Sequence, residues 1–381
     1  MGPALLTVIL ITCVFFVNFI SRIVLGPLAP IVEGDLNITH GQTGSLFFMI
    51  SIGYCVSLLL SGFVSSRISH RVTIWVSALG MAISLTFSAF SWGLDSLRLG
   101  FLLVGMAAGL YLPSGMSTIT SLVDRTSWGK AIAIHELAPN LGFVIAPFMV
   151  SSLCRTVGWR GILALLAVAS LVGGACFLRW GKGGEFKGVA PSLSSIKVLA
   201  RERGFWLMMG IFGMGVGGSL GVYAMLPLFL VSSGGWELER ANSLVGLSRV
   251  ISSVTAFVGG WASDRIGAAR TISIALIFSG LATILISVTE GPSLTLAIFL
   301  QPAFAVCFFP AALATVSRLG PPEMRNLAIS LVVPTGFLVG AGMIPALVGR
   351  AADLGEFPLG LAGVGLATMV SGIVTKWLKT G

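Results

Sequence analysis

Four ionisable side chains lie in stretches that otherwise hold almost nothing polar: Arg22, Arg249, His135 and Glu136. A charge in hydrocarbon is costly, so each is a functional candidate until packing explains it. A guanidinium is planar and always charged, and its fork fits a carboxylate, sulfonate or phosphate. Arg22 and Arg249 are therefore candidate anion-binding groups, and Asn18, one helical turn before Arg22, shares its face. A carboxyl in apolar surroundings is favoured in its neutral form, which makes Glu136 a candidate proton carrier. His135 beside it could relay protons near neutral pH. On a continuous helix, however, the two side chains point about 100° apart. The alternatives are internal ion pairs for the arginines, a fixed salt bridge for Glu136 and a packed neutral imidazole for His135.

The elements that must hold these groups are apolar. Of the 381 residues, 55% are hydrophobic and 10% charged, against about 25% charged in a soluble domain. Apolar runs broken by polar turns predict twelve spans, roughly 4–32, 41–66, 72–91, 95–122, 129–153, 158–180, 204–231, 240–263, 267–288, 292–318, 324–348 and 357–378,. In lipid these must be helices, because the backbone finds no other partners there. Residues 4–32 carry no Lys or Arg before Arg22 and no obvious cleavage site, and they are expected to be a first span rather than a signal peptide,. Arg22 then lies about 16 Å below the outer edge of its span, and Arg249 about 13 Å below the edge of span 8.

With the N-terminus inside, sixteen Lys and Arg fall on the inner side and seven elsewhere, so both termini are expected to be cytoplasmic,. The net charge of +9 sits mostly in short turns, which argues against nucleic acid as partner and for a lipid bilayer. The five cysteines lie in or beside apolar runs without metal spacing and read as small hydrophobes,. Arg98, three residues after Asp95, reads as an ion pair near the outer edge,.

A short basic hairpin occurs twice. Gly62-Phe-Val-Ser-Ser-Arg67-Ile-Ser-His-Arg71 follows span 2, and Gly260-Trp-Ala-Ser-Asp264-Arg265-Ile-Gly267-Ala-Ala-Arg270 follows span 8, 198 positions later. Pro113/Pro310 and Pro147/Pro345 repeat at offsets of 197 and 198. The organisation expected is two six-helix bundles, 1–180 and 204–381, joined by a cytoplasmic linker at 181–203,. Parallel six-span halves around a midplane site are a transporter plan.

These features resemble the major facilitator superfamily along essentially the whole chain. Its signature between spans 2 and 3 reads Gly-x-x-x-Asp-Arg-x-Gly followed by Arg or Lys. Gly62, Arg67 and Arg71 match it, with Ser66 in place of the Asp, and Gly260, Asp264, Arg265, Gly267 and Arg270 match it more fully. Asp124, near the inner end of span 4, is the expected substitute partner for Arg67 or Arg71. Ser21-Arg22 with the prolines beyond it is similar to the span-1 stretch of the anion:cation symporters, where the arginine contacts a substrate carboxylate. Gly53-Tyr54 matches that branch's span-2 pair. Glu136-Leu-Ala-Pro139-Asn140-Leu-Gly142 is similar to a span-5 stretch of the organophosphate:phosphate antiporters, with Pro139 in place of a histidine. The span-4 arginine common in these branches falls at Phe101. Spans 2 and 7 border the cavity in this superfamily, so the resemblance ranks Tyr54 and Tyr223 above the other polar span residues, among them Tyr111, Asn140, Asn242 and Gln301.

The fold expected is thus an all-α membrane protein of twelve transmembrane helices in two pseudo-twofold-related bundles. Its expected work is proton-coupled uptake of a small organic anion by alternating access, as a monomer in a bacterial-type inner membrane. Arg22, Arg249, Tyr54, Tyr223, Asn18 and Asn140 would bind substrate, and Glu136 with His135 would carry protons. Gly62, Arg67, Arg71, Asp124, Gly260, Asp264, Arg265 and Arg270 would form the gating hairpins. No cofactor is expected beyond a proton or other ion gradient. The first rival is proton-antiport efflux of drugs or amphiphilic, lipid-like compounds, and the second a membrane-embedded enzyme or sensor. Two apparent enzyme motifs do not survive inspection. His135-Glu136 lacks the second histidine of a zinc site, since Pro139 stands there, and Gly213-x-Gly215-x-x-Gly218 lies in an apolar run without a preceding strand,. Small residues on span 7, like Gly105-x-x-x-Gly109 on span 4, read as close helix packing.

Overall fold

Apolar spans of this length leave the backbone only its own helical hydrogen bonds, and the computed structural model is helical wherever it is ordered into elements. It describes residues 2–188, 199–319 and 325–378, and no strand occurs among them. Part of the expected linker, residues 189–198, lies outside the described residues.

Among the described residues, eleven continuous helical stretches are long and apolar enough to cross a membrane. The fifth, Arg125–Trp180, has 56 residues, about twice what one crossing needs. It turns at Gly158, whose φ of 67° belongs to the left-handed region that glycine enters without strain,. Spans 5 and 6 are therefore both present, and the predicted gap between them is a single glycine turn. Many large apolar side chains are exposed, including Ile83, Val168, Val254, Phe257 and Leu347, as a lipid-facing surface requires.

Several spans are not simple rods. Span 1 runs Gly2–Ile23, breaks at Val24 and resumes as Leu25–Leu36. Pro27 has no N–H for the Ile23 carbonyl, which accounts for the break just after Arg22. Span 4 is Leu94–Gly109 and Tyr111–Leu122. Span 5 is Trp128–His135 followed, after a turn at Glu136, by the helix from Leu137. Spans 7 and 11 each contain a π-helical segment, Gly217–Gly221 and Leu338–Met343. Remaining spans keep close to their predicted limits: His40–Arg67, His70–Ala89, Leu238–Ile266, Ala268–Val288, Gly291–Val316 and Phe357–Val374.

Contacts gather the chain into two compact units. One comprises residues 1–32 and 49–191, the other 33–48 and 192–381. In the first, Gly109 lets spans 4 and 2 meet backbone to backbone, since a Cβ there would lie 2.6 Å from the Tyr54 carbonyl and 2.7 Å from Leu58 N. In the second, the core joins Phe205, Met208 and Phe212 of span 7 to Ile272, Leu276, Phe308 and Val332. Gly340 at the span-11 π-segment sits against Gly213 and Gly217 of span 7, so the small residues there serve close packing. At the other end of this unit, Asp353 accepts hydrogen bonds from Thr39 Oγ1 at 2.8 Å and Gly41 N at 3.1 Å.

Candidate functional site

In the first unit the break in span 1 leaves Arg22 against span 2. Arg22 is 8% exposed, and its Cζ lies 4.4 Å from the Tyr54 ring centroid and 5.2 Å from that of Phe19. Cation–π attraction is felt within about 6 Å and strengthens when water is excluded. Asn18 donates from Nδ2 to the Ala108 carbonyl across to span 4, at 3.4 Å, and its buried Oδ1 has no hydrogen-bond partner among the described residues.

The second unit holds a similar pair with the residue types exchanged between helices. Here the tyrosine is on the unit's first span and the arginine on its second. Arg249 Cζ lies 4.9 Å from the Tyr223 ring centroid, and both residues are buried. Arg249 Nη2 donates to the Ser219 carbonyl at 2.9 Å, and Nη1 approaches Ser219 Oγ at 3.5 Å. Ser219 lies inside the π-helical segment, where the regular backbone ladder is interrupted,. Gln301 of span 10 donates to the adjacent Gly218 carbonyl. Two backbone acceptors of this bent segment are thus held by long side chains from spans 8 and 10.

Glu136 and His135 differ from a continuous-helix expectation. The turn at Glu136 lets its Oε1 come within 3.3 Å of His135 Nδ1, which a rotation of about 100° along one helix would not favour. Pro139 cannot donate to the His135 carbonyl, and the turn falls there. His135 is fully buried and stacks on Phe15 at 4.3 Å between centroids, and its Nε2 lies 3.0 Å from the Tyr111 hydroxyl. Glu136 is not the buried carboxyl expected, because its side chain keeps 51% exposure. Asn140 does not approach Arg22. It donates from Nδ2 to the Glu136 carbonyl at 2.8 Å and so secures the turn.

At the basic hairpins the expected Asp124 partnership is absent. Asp124 and Arg67 are both exposed and form no ion pair with one another among the described residues. Arg71 instead donates to the carbonyls of Gly181 at 2.8 Å and Leu178 at 2.6 Å, and stacks on Phe177. A cation at a helix C-terminus satisfies carbonyls that have no helical donor and suits the helix dipole. Backbone bonds from His70 to Phe186, Arg71 to Gly184 and Gly188 to Ser65 bind the segment after span 6 to the same hairpin. Ser66 donates to the Phe63 carbonyl, and Gly62 is half-buried just before it. In the second hairpin Asp264, Arg265, Gly267 and Arg270 are exposed, Gly267 turns with φ of 90°, Arg265 lies 6.0 Å from the Trp261 ring, and Gly260 has open space beside it. Arg98 pairs with Asp95 at 3.0 Å, as expected, and all five cysteines are free.

The sequence carries no signal for Ser219, and Gln301 and Tyr111 look like any other polar residue in a span. For Gln301 and Ser219, which meet the site from 83 and 30 residues away along the chain, no local pattern marks the contact. The turn at Glu136 had a signal in Pro139.

Polar groups buried inside twelve apolar spans define the class: a polytopic helical membrane protein on the plan of a solute transporter. The chain belongs to the Major Facilitator Superfamily, whose model matches residues 11–261 and 235–380, and it is a membrane transporter of that family rather than an enzyme. It is 22% identical over 291 residues to a probable sulfoacetate transporter, SauU, of Cupriavidus necator, covering 70% of this chain and 67% of that one. It is 24% identical to a gallate transporter of Pseudomonas putida, covering 93% and 86%, and 19% identical to a probable nitrate transporter, NarT, of Staphylococcus aureus, covering 90% and 83%. The fold matches a bacterial homologue of the human lysosomal transporter Spinster, in an inward-facing, occupied conformation, with a TM-score of 0.83 at 15% identity, over 97% of this chain and 96% of that one.

Proposed function

We propose that this protein takes up a small organic anion together with protons across a bacterial-type inner membrane, by alternating access and with both termini cytoplasmic. The observation that carries the reading is the buried arginine over a tyrosine face in each unit, Arg22 with Tyr54 and Arg249 with Tyr223. A guanidinium in low dielectric attracts an anion strongly, and its planar fork fits a carboxylate or sulfonate. Relatives named for sulfoacetate, gallate and nitrate support an anion as substrate. Glu136 and His135 are the proton-carrying groups in this reading, and Asn18 Oδ1 offers an acceptor one turn from Arg22.

A ligand screen by thermal shift on the purified protein tests it. A ligand at a hundred times its Kd stabilises by about 2.7 kcal/mol. Gallate, sulfoacetate, other small carboxylates and nitrate form one arm, and cationic amphiphiles the other. The expected result is stabilisation by an organic anion that disappears in Arg22→Ala and Arg249→Ala. Stabilisation by cationic amphiphiles alone, unchanged in both variants, would overturn the reading in favour of efflux.

A further inference from the structure

The hydrogen bonds around His135 have a direction, and the direction counts protons. Tyr111 has one hydroxyl hydrogen and two partners: the Ile11 carbonyl at 2.8 Å and His135 Nε2 at 3.0 Å. A carbonyl only accepts, so the hydroxyl hydrogen goes to Ile11. The hydroxyl oxygen then accepts from His135, and Nε2 must carry a hydrogen. In a neutral imidazole with Nε2 protonated, Nδ1 is an acceptor. It faces Glu136 Oε1, also an acceptor when ionised, at 3.3 Å. The two are held together only if one further proton lies between them, as imidazolium with carboxylate or imidazole with carboxylic acid.

We propose that Tyr111 is the positioning residue of the proton site: by donating to Ile11 it fixes the His135 tautomer and so obliges the His135–Glu136 contact to hold one exchangeable proton. This rests on the proton-carrying role proposed for that pair. His135 is fully buried, while Glu136 is half-exposed, so the proton enters and leaves through the carboxyl. The step balances simply. Protonated Glu136 with neutral His135, or the equivalent ion pair, releases one proton to water and leaves a carboxylate facing a bare Nδ1. The contact then parts, and Glu136 is free to turn outward.

What is gained or lost is a tie across helices. His135 is fixed by Tyr111 of span 4 and by the ring of Phe15 of span 1, which is also stacked on Tyr111 at 5.2 Å. Glu136 is the turn of span 5 itself, and Asn140 holds its carbonyl. The proton therefore fastens the bend of span 5 to spans 1 and 4, and its loss releases the bend. His135 ends the helix Trp128–His135 and Glu136 precedes the helix from Leu137, positions that suit a cation and an anion in turn,. Among the charged and titratable groups around the pair, Glu136 and Cys13 of span 1 act on Tyr111, and Arg22 and Glu136 act on Tyr54 of span 2.

The test is nitrogen-15 histidine magnetic resonance on the full chain in lipid. Its three histidines can be assigned with a His135→Asn variant. The expected wild-type spectrum shows Nε2 of His135 protonated, with Nδ1 the nitrogen that faces the shared proton. Tyr111→Phe keeps the ring stack and removes the acceptor. The neutral ring should then move its hydrogen to Nδ1, satisfy the carboxylate without the extra proton, and shift the pH midpoint of uptake toward acid. Glu136→Gln, which mimics the protonated acid, should hold the Nε2-protonated tautomer and flatten the pH profile. A bare Nε2 in the wild-type neutral ring, or a spectrum that Tyr111→Phe leaves unchanged, would overturn the proposal. Uptake without any pH dependence, beside the expected spectra, would instead count against proton coupling alone.

Discussion

Replacing Gly109 by alanine measures how closely the protein needs spans 2 and 4 to approach around Tyr54. The added methyl would stand 2.6 Å from the Tyr54 carbonyl oxygen, 2.7 Å from Leu58 N and 2.9 Å from Ser57 Cβ. Carbon and oxygen rest at about 3.4 Å, so the two backbones must part by about 0.8 Å. Neither partner is a flexible side-chain tip, and overpacking of this kind costs about 1–3 kcal/mol. Gly210, inside the span-7 helix Arg203–Val216, has nothing within 4 Å of the same methyl. There alanine should stabilise the helix by about 0.5–1 kcal/mol. The two single-methyl variants should therefore differ by about 1.5–4 kcal/mol in unfolding in detergent micelles. Because the displaced backbone carries Tyr54, the Gly109 variant should also weaken anion affinity while Gly210→Ala leaves it unchanged. Equal stability of the two would refute close backbone packing between spans 2 and 4.

Other expectations follow from single contacts. Arg71→Ala, which strips donors from the Leu178 and Gly181 carbonyls, should destabilise by about 1–3 kcal/mol in micellar unfolding. Asp124→Ala, which breaks no such contact, should stay within about 0.5 kcal/mol of wild type. Gln301→Leu leaves the Gly218 carbonyl of the span-7 bend without its side-chain donor, and should destabilise by about 1–3 kcal/mol on the same assay. Arg249→Lys keeps the charge but loses the fork and the flat face over Tyr223. Its ligand-induced thermal shift should fall toward that of Arg249→Ala.

Much of the architecture was legible because a chain this apolar has one solution in lipid. Span limits such as Arg203–Ser232 fall within a residue of those read from hydropathy. The interruptions were less legible. Pro27 and Pro139 mark the bends after Arg22 and at Glu136, yet a proline only withholds one hydrogen bond, and what the bend brings together depends on neighbouring helices. The arginines announced themselves by their cost in hydrocarbon, while their stacking tyrosines came from family resemblance alone. Tyr111 and His135, 24 residues apart, meet through packing of spans 4 and 5 against Phe15, which no local pattern encodes. The Asp124 expectation failed for a related reason. Charge complementarity points to a carboxylate for Arg67 or Arg71, but helix-end carbonyls also accept from a guanidinium, and Arg71 is held by those of Leu178 and Gly181.

The central claim is that buried Arg22 and Arg249 carry an anion with protons. Uptake into proteoliposomes of the labelled anion that stabilises the protein most, with and without an imposed proton gradient, tests it directly. The account predicts accumulation driven by the gradient, and its loss in Arg22→Ala and in Arg249→Ala at equal protein content. Anion uptake that persists at wild-type rates in both variants would contradict it.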